Sequence, residues 1–269
     1  MGYVARWGVY WMRRFMDFKV SGERISVNVP TWAVLQARVT ERLAQRQGFA
    51  LATVNLDHLV KLRHSPQFRR AYAAQDFVTA DGNPIVWMSW LAKRPVELIP
   101  GSDALFPIAR IAATQGVTVA LVGSTQPALA AAKSYLEREV RDLKVVATVA
   151  PPMGFDPTGA QADAIFEEIG ASGAGLCFIA LGAPKQEIFA AAGRRKLPHM
   201  GFASVGAGLD FLAGTQTRAP DWARRFAVEW LWRALGSPKR LLPRYVRCMA
   251  ILPGQVFAAM LQRFRTPQH

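Results

Sequence analysis

Residues 176–193 read LCFIALGAPKQEIFAAAG. An apolar run stops at Gly182, a proline follows at position 184, and Lys185, Gln186 and Glu187 open a stretch of helical character. A short, unbroken apolar run bounded by a turn signal is the pattern of a strand buried on both faces. Proline near a helix start suits the backbone there, because its missing N–H would lack a partner anyway. The stretch is therefore a strand, a polar joint and a helix.

The same unit recurs on either side of it. Between residues 30 and 205 the strand candidates are FALATVN, FVTA, VTVALVG, KVVATV, GLCFIALG and GFASVG, with amphipathic segments such as 127–141 and 157–169 between them. Apolar strands alternating with helices predict an α/β fold: a Rossmann-like, mostly parallel sheet with helices on both faces. In such sheets ligands bind beyond the carboxyl ends of the strands. The residues there are Thr53 and Asn55, then Asp81-Gly82-Asn83-Pro84, Gly123-Ser124-Thr125, Gly182 to Glu187, and Gly206-Ala207-Gly208-Leu209-Asp210. Polar groups and glycines gather on one rim, which outlines a site.

Composition bounds the partners. With 33 Lys and Arg against 19 Asp and Glu, the chain carries +14 and suits a polyanion: nucleic acid, an anionic membrane surface or a phosphorylated substrate. The two cysteines, Cys177 and Cys248, lack metal-ligand spacing; Cys177 lies in an apolar run, which points to a buried reduced thiol and to the cytosol. Residues 1–25 read as a basic, aromatic segment without the features of a signal peptide. Residues 26–214 read as the Rossmann-like domain, the expected seat of any catalysis, and residues 215–269 as a helical appendage, basic on one side and aromatic on the other. Its last apolar stretch is interrupted by Arg247 and Pro253-Gly254, too soon for a membrane span of about 20 residues.

Each rim residue has a plain structural reading beside a chemical one. The joint at 182–187 can be only a turn and a helix start, with Glu187 complementing the helix dipole. Alternatively, free N–H groups and Lys185 face a phosphate while Gln186 holds a sugar or base. Asp81-Gly82 can be a simple turn, with Asn83 capping the next helix and Pro84 at its first position; a carboxylate there can also act as a general base. Thr53 and Asn55 suit either ligand hydrogen bonds or helix capping. His58, without another His or Cys nearby, reads as a surface histidine. No GxGxxG, GxSxG, HExxH, P-loop or Asp-x-Asp pattern occurs, so the usual signatures of dinucleotide redox enzymes, hydrolases, zinc proteases, triphosphatases and metal-chelating sugar transferases are missing.

The order of these signals is more specific than any one of them. Thr53-x-Asn55, Asp81-Gly82, Gly101-x-Asp103 and Leu181-Gly182-x-Pro184-x-Gln186-Glu187 are followed by Gly206-x-Gly208-x-x-x-x-x-Gly214, with Asp210-Phe211 inside it, then by Arg218-Ala219-Pro220, Glu229-Trp230-x-x-Arg233 and Pro238-x-Arg240. Across residues 27–245 this series closely resembles the WecG/TagA/CpsF glycosyltransferases, family 26 of the glycosyltransferase classification. The resemblance implies an inverting bacterial enzyme. It would move a sugar from a UDP donor, with no cofactor, onto a polyprenyl-diphosphate-linked saccharide at the cytoplasmic face of the inner membrane. The sugar would be N-acetylmannosamine, its uronic acid or glucose.

By motif, Asp81 would be the base. Thr53, Asn55, Asn83, Asp103, Gly182, Gln186 and Gly206 would bind substrate, joined from the appendage by Arg218 and Arg233, and by Arg225 outside any recognisable motif. These cations would offset the diphosphate charge where no Asp-x-Asp holds a metal. One departure stands out: relatives often have an arginine where this chain has Leu98, so Arg94 or another cation would have to take over. The tryptophans of the appendage and the apolar face of residues 251–261 would enter the membrane interface, while its cations meet anionic headgroups. A homo-oligomer is also compatible with this surface. The competing expectation, drawn from charge alone, is a nucleic-acid-binding protein without catalysis; no binding motif accompanies it, so nucleic acid is not the expected partner.

Overall fold

The computed structural model describes residues 15–216, 219–220, 232 and 238–264. A hairpin of β1 (Met16–Val20) and β2 (Glu23–Val27) leads into α1 (Trp32–Ala44). Then come β3 (Phe49–Val54), α2 (Leu56–His64), α3 (Pro66–Ala73), β4 (Phe77–Ala80), α4 (Asn83–Leu91) and α5 (Gly101–Thr114). The chain continues through β5 (Val119–Gly123), α6 (Gln126–Glu139), β6 (Val145–Val149), α7 (Ala160–Ala171), β7 (Leu176–Ala180), α8 (Lys185–Lys196), β8 (Gly201–Ser204) and α9 (Gly208–Leu212). The last described helix is α10 (Pro238–Gln262).

Strands β3 to β8 form one sheet in the order β4-β3-β8-β7-β5-β6, every pair parallel. Apolar side chains alternate between two layers. Phe49 and Leu51 of β3 join one core with α1, α5 and α6, whereas Ala52 and Val54 join another with α2, α3 and α4. A third cluster, built on Phe166, Phe189 and Phe202, seats α7 and α8 on the second face. Burial on both faces is why the strands read as unbroken apolar runs. Cys177 and Cys248 are both buried free thiols.

The Rossmann-like expectation is met strand for strand, but three features differ. First, β1 and β2 form a hairpin across position 25, where the sequence suggests a domain boundary. Ser21 and Gly22 both take positive φ (48° and 85°), the geometry of a tight two-residue turn. Met16, Phe18, Val20, Ile25 and Val27 fall in one buried cluster with Cys248, Ile251 and Ala259 of α10. Second, α10 is one helix running through Pro243 and Pro253. Third, Ile251 and Ala259 are buried, so they do not belong to a membrane-facing stripe. The exposed apolar stripe is the other one: Leu242, Val246, Met249, Phe257, Met260 and Phe264, recurring at helical spacing. No helix among the described residues is long and apolar enough to cross a membrane.

Candidate functional site

The sheet order places the carboxyl ends of β4, β3, β8 and β7 side by side. Asp81, Asn55, Gly206 and the Gly182–Gln186 joint therefore stand in sequence along one rim. The amide of Asp81 donates to the Val54 carbonyl at 2.8 Å, adding a rung between β3 and β4 beyond the strand ends. Gly82, at φ 99°, then turns the chain into α4. That conformation strains an L side chain, which accounts for glycine after the aspartate. Gly101 answers a different constraint: a Cβ there would lie 2.6 Å from the Ser204 carbonyl, so only glycine lets α5 start against the end of β8.

Asn55 uses both ends of its side chain. Its Oδ1 accepts from the His58 amide at 3.0 Å, capping α2, and its Nδ2 donates to Asp81 Oδ2 at 3.1 Å. Capping and site-building are the same act here: the helix N–H fixes the amide so that its NH₂ must face the carboxylate. The Asp81 carboxylate is thereby oriented while staying partly exposed.

Beneath the rim lies a buried polar floor. Thr53 is buried, and its carbonyl accepts from the Tyr72 hydroxyl. His58 Nδ1 lies 2.8 Å from the same carbonyl and 2.6 Å from Tyr72 Oη. His58 is thus not a surface residue: burial, then the nearby Lys61 charge, pushes its pKa down to about 3, leaving it neutral. Burial also raises the Tyr72 hydroxyl, and the negative charges of Glu187 and Asp81 add to it. Tyr72 therefore sits within the field of both carboxyl groups.

Beside it, Gln186 Nε2 donates to Glu187 Oε1 at 2.8 Å, with Gln186 4% and Glu187 0% exposed. Gln75 Nε2 donates to the Glu187 carbonyl at 3.1 Å, bracing α8 against α3. Gln186 Oε1, Glu187 Oε2 and Ser204 Oγ are buried without a hydrogen-bond partner among the described residues. Buried polar atoms are rarely left unpaired, and each one costs stability.

Other expected residues are placed as follows. Asn83 does not cap α4: the cap position belongs to Gly82, no side chain caps that helix end, and Asn83 is its first residue. Asp103 lies in the first turn of α5, with Ser102 Oγ 3.5 Å from its Oδ1. Gly182 and Gly206 both have positive φ, with open space where a Cβ would stand. Lys185 turns away from Asp81 toward the β5–β6 side of the rim, where its Nζ donates to the Phe155 carbonyl at 2.6 Å. It borders a cleft of about 400 Å³ whose lining includes Ser124, Thr125, Met153 and Phe155. Arg218, Arg225 and Arg233 lie outside the described residues.

Arg94 does not replace the family arginine. Its guanidinium donates to the Phe15 carbonyl at 2.7 Å and to Gln262, and pairs with Asp17 at 3.4 Å. It locks the hairpin to the end of α10. Leu98 itself bridges to Ala80 in parallel register, next to the candidate base, and is partly exposed.

Tyr72, His58 and Ser204 were not legible as site residues, since a lone Tyr, His or Ser carries no spacing. Glu187 was legible only as a helix-start carboxylate. The signal for its burial was the run IFAAAG that follows it: a helix apolar all round is buried all round. Asp210 gains a role too. It accepts from Ser124 Oγ and, at 3.0 Å, from Gln216 Nε2, tying the β5 rim to the segment leading into the appendage.

Glu187 gives the site a pH signature. Burial lifts its pKa from 4.5 to about 7, against the opposing hydrogen bond from Gln186. A folded-state pKa above the unfolded one favours folding below pH 4.5, and that contribution is lost as pH rises through 7. Glu187→Gln should therefore flatten the stability profile between pH 5 and 8. It should recover on the order of 3 kcal/mol relative to wild type at pH 8. Urea unfolding at the two pH values checks this; parallel profiles would show that Glu187 does not titrate in this range.

Among the described residues, no group of three or more His, Cys, Asp or Glu side chains could hold a metal ion. The glycosyl transferase WecG/TagA/CpsF family model matches residues 20–268. That match takes in both the rim just described and the C-terminal helix, and the chain accordingly belongs to the WecG/TagA/CpsF glycosyltransferase family.

Proposed function

We propose that the protein is an inverting glycosyltransferase that takes its sugar from a UDP donor and delivers it to a saccharide carried on polyprenyl diphosphate, at the cytoplasmic face of the membrane. Asp81 acts as the base. As the acceptor hydroxyl attacks the anomeric carbon, its proton passes to the Asp81 carboxylate. The bond from that carbon to the diphosphate oxygen breaks with its electron pair, and UDP departs. One carboxylate suffices, because a single displacement forms no covalent intermediate.

The observation that carries this reading is the Asn55–Asp81 hydrogen bond at 3.1 Å, which orients a partly exposed carboxylate on the rim where α/β sheets bind ligands. Asn55 and Gln186 hold polar groups of the donor sugar, with Thr53 as part of the floor. The unpartnered Gln186 Oε1 supports this, since a sugar hydroxyl or amide N–H would supply the missing donor. Asn83, Asp103, Gly182 and Gly206 complete the substrate-facing rim. Arg218, Arg225 and Arg233 counter the charge growing on UDP, a role that metal ions take in transferases with an Asp-x-Asp pair.

The membrane contact belongs to the exposed stripe of α10. Helix α4, which packs against α10, exposes Trp87 and Trp90 as well. Lys239, Arg247 and Arg263 flank the stripe, a combination suited to an anionic interface.

The test is transfer itself. The protein is incubated with UDP-N-acetylmannosamine, its uronic acid or UDP-glucose and a synthetic polyprenyl-diphosphate saccharide. Mass spectrometry should find the acceptor heavier by one sugar, with one UDP released per event and the anomeric configuration inverted. Absence of transfer from every nucleotide sugar tried, to every lipid-linked acceptor, would overturn the reading.

A further inference from the structure

The C-terminal helix and the joint that carries Gln186 are held to the same turn of α2 by one carboxylate. Arg244 of α10 places its Nε 3.1 Å from Asp57 Oδ1. Lys61, one turn further along α2, places its Nζ 2.8 Å from Asp57 Oδ2. The same ammonium donates to the Ala183 carbonyl at 3.0 Å, one residue before Pro184 and the start of α8. Three elements distant in sequence thus meet through Asp57, whose side chain is only 10% exposed.

An acidic residue in the first turn of a helix needs no special purpose, since it complements the helix dipole. Two features go beyond that. Asp57 is buried between two cations supplied by different elements, and one of those cations is simultaneously bonded to the joint that carries Gln186. Burial by itself would raise the Asp57 carboxyl, yet Lys61 and Arg244 hold it below the usual carboxylate range. His58, the next residue, is neutral and adds no charge of its own. Without the carboxylate, two half-buried cations would face each other across the same turn of α2 and repel. Lys61, 36% exposed and carrying its charge on a flexible four-carbon stem, would swing into solvent and release the Ala183 carbonyl.

We propose that Asp57 is a positioning residue that docks the C-terminal helix and, through Lys61, sets the Ala183–Gln186 joint for the donor sugar. The inference rests on the transferase reading for its consequence, though not for its geometry.

Hydrogen–deuterium exchange of the full-length protein without substrate tests the geometry. Asp57→Asn should speed amide exchange in residues 182–188 by about tenfold, the scale of coupling between groups in one network. Lys61→Met, which leaves the Asp57–Arg244 pair in place, should do the same. Adding Arg244→Gln to Asp57→Asn should reverse much of the effect, because it removes the repulsion that expels Lys61. A merely structural carboxylate predicts the opposite, with the double variant at least as loose as the single one.

In the transfer assay, Asp57→Asn should raise the KM for the donor more than it lowers kcat, and Asp57→Glu should restore both. Unchanged exchange at 182–188 in both single variants, or a double variant looser than Asp57→Asn, overturns the proposal. If exchange responds as expected but the wild-type protein transfers no sugar, the positioning role stands and the transferase reading falls.

Discussion

Replacing Asp81 with Asn should lower the rate of sugar transfer by about 10²–10⁴-fold, the range that positioned proton acceptors contribute. Donor binding and thermal stability should stay close to wild type. The reason lies in the hydrogen bond to Asn55. A substituted amide can turn its oxygen toward Asn55 Nδ2, so the rim bond at 3.1 Å and the cap on α2 both survive. The Asp81 amide bond to the Val54 carbonyl is main-chain and is untouched. What disappears is an oxygen able to take up a proton when the acceptor hydroxyl becomes an ether. Steady-state transfer to the lipid-linked saccharide, with a thermal melt alongside, separates the two effects. Turnover within threefold of wild type would remove Asp81 from the mechanism, and an equal loss of stability would make its role architectural.

The paired substitution Val246→Asp and Phe257→Asp should abolish flotation with vesicles containing anionic phosphatidylglycerol. Both side chains lie on the outer stripe of α10, 66% and 64% exposed, so neither contributes to the core. Surface changes of this kind usually shift stability by no more than about 0.5 kcal/mol. Each apolar side chain of this size contributes about 1.5–3 kcal/mol when buried. Losing both weakens membrane partitioning by at least about a hundredfold, before any repulsion of the new carboxylates by the anionic surface. Raising salt should weaken wild-type flotation only in part, because screening removes the contribution of Lys239, Arg247 and Arg263 but not that of the stripe. Unaltered flotation of the variant would discard the stripe as the membrane contact. Wild-type protein that ignores vesicles but binds DNA on filters with steep salt dependence would favour a nucleic-acid partner instead. A halved molar mass in the variant would identify the stripe as an interface between two copies.

The fold was legible because its signals are local. Six apolar runs, five ended by Gly, Asn or Asp and one by Pro151-Pro152, marked six strands to within a residue or two, and burial on both faces of the sheet made those runs continuous. The β1–β2 hairpin also had its signal, the alternation of Phe18, Val20, Ile25 and Val27 around Ser21-Gly22, but arginine-rich flanks obscured it. The inner face of α10 was ambiguous for a different reason. Two apolar stripes share that helix, and only the packing of Ile251 and Ala259 against the hairpin decides which one is buried.

The site divides in the same way. Asp81, Asn55 and Gln186 could be placed on one rim by sequence alone, because parallel strands bring their carboxyl ends to the same edge wherever they lie in the chain. Whether those residues touch depends on strand order, and β4-β3-β8-β7 cannot be inferred from periodicity. His58 looked like a surface residue, Asn83 like a cap and Arg94 like a spare phosphate ligand. Each was reassigned by folded geometry: Tyr72, 14 residues on, for His58; the hairpin and Gln262, 168 residues on, for Arg94; and for Asn83 the positive-φ turn at its neighbour Gly82, which moved the helix start.

Sequence by itself determined the layered sheet, its helices and the edge that carries the candidate site, since backbone geometry and apolar periodicity act over a few residues. Tertiary structure alone decided the bonding of Asn55 to Asp81, the burial that lifts Glu187, and the joining of α10 to the Gln186 joint through Asp57. Hydrogen bonds, desolvation and ion pairs act over a few ångströms, and only the folded chain sets those distances.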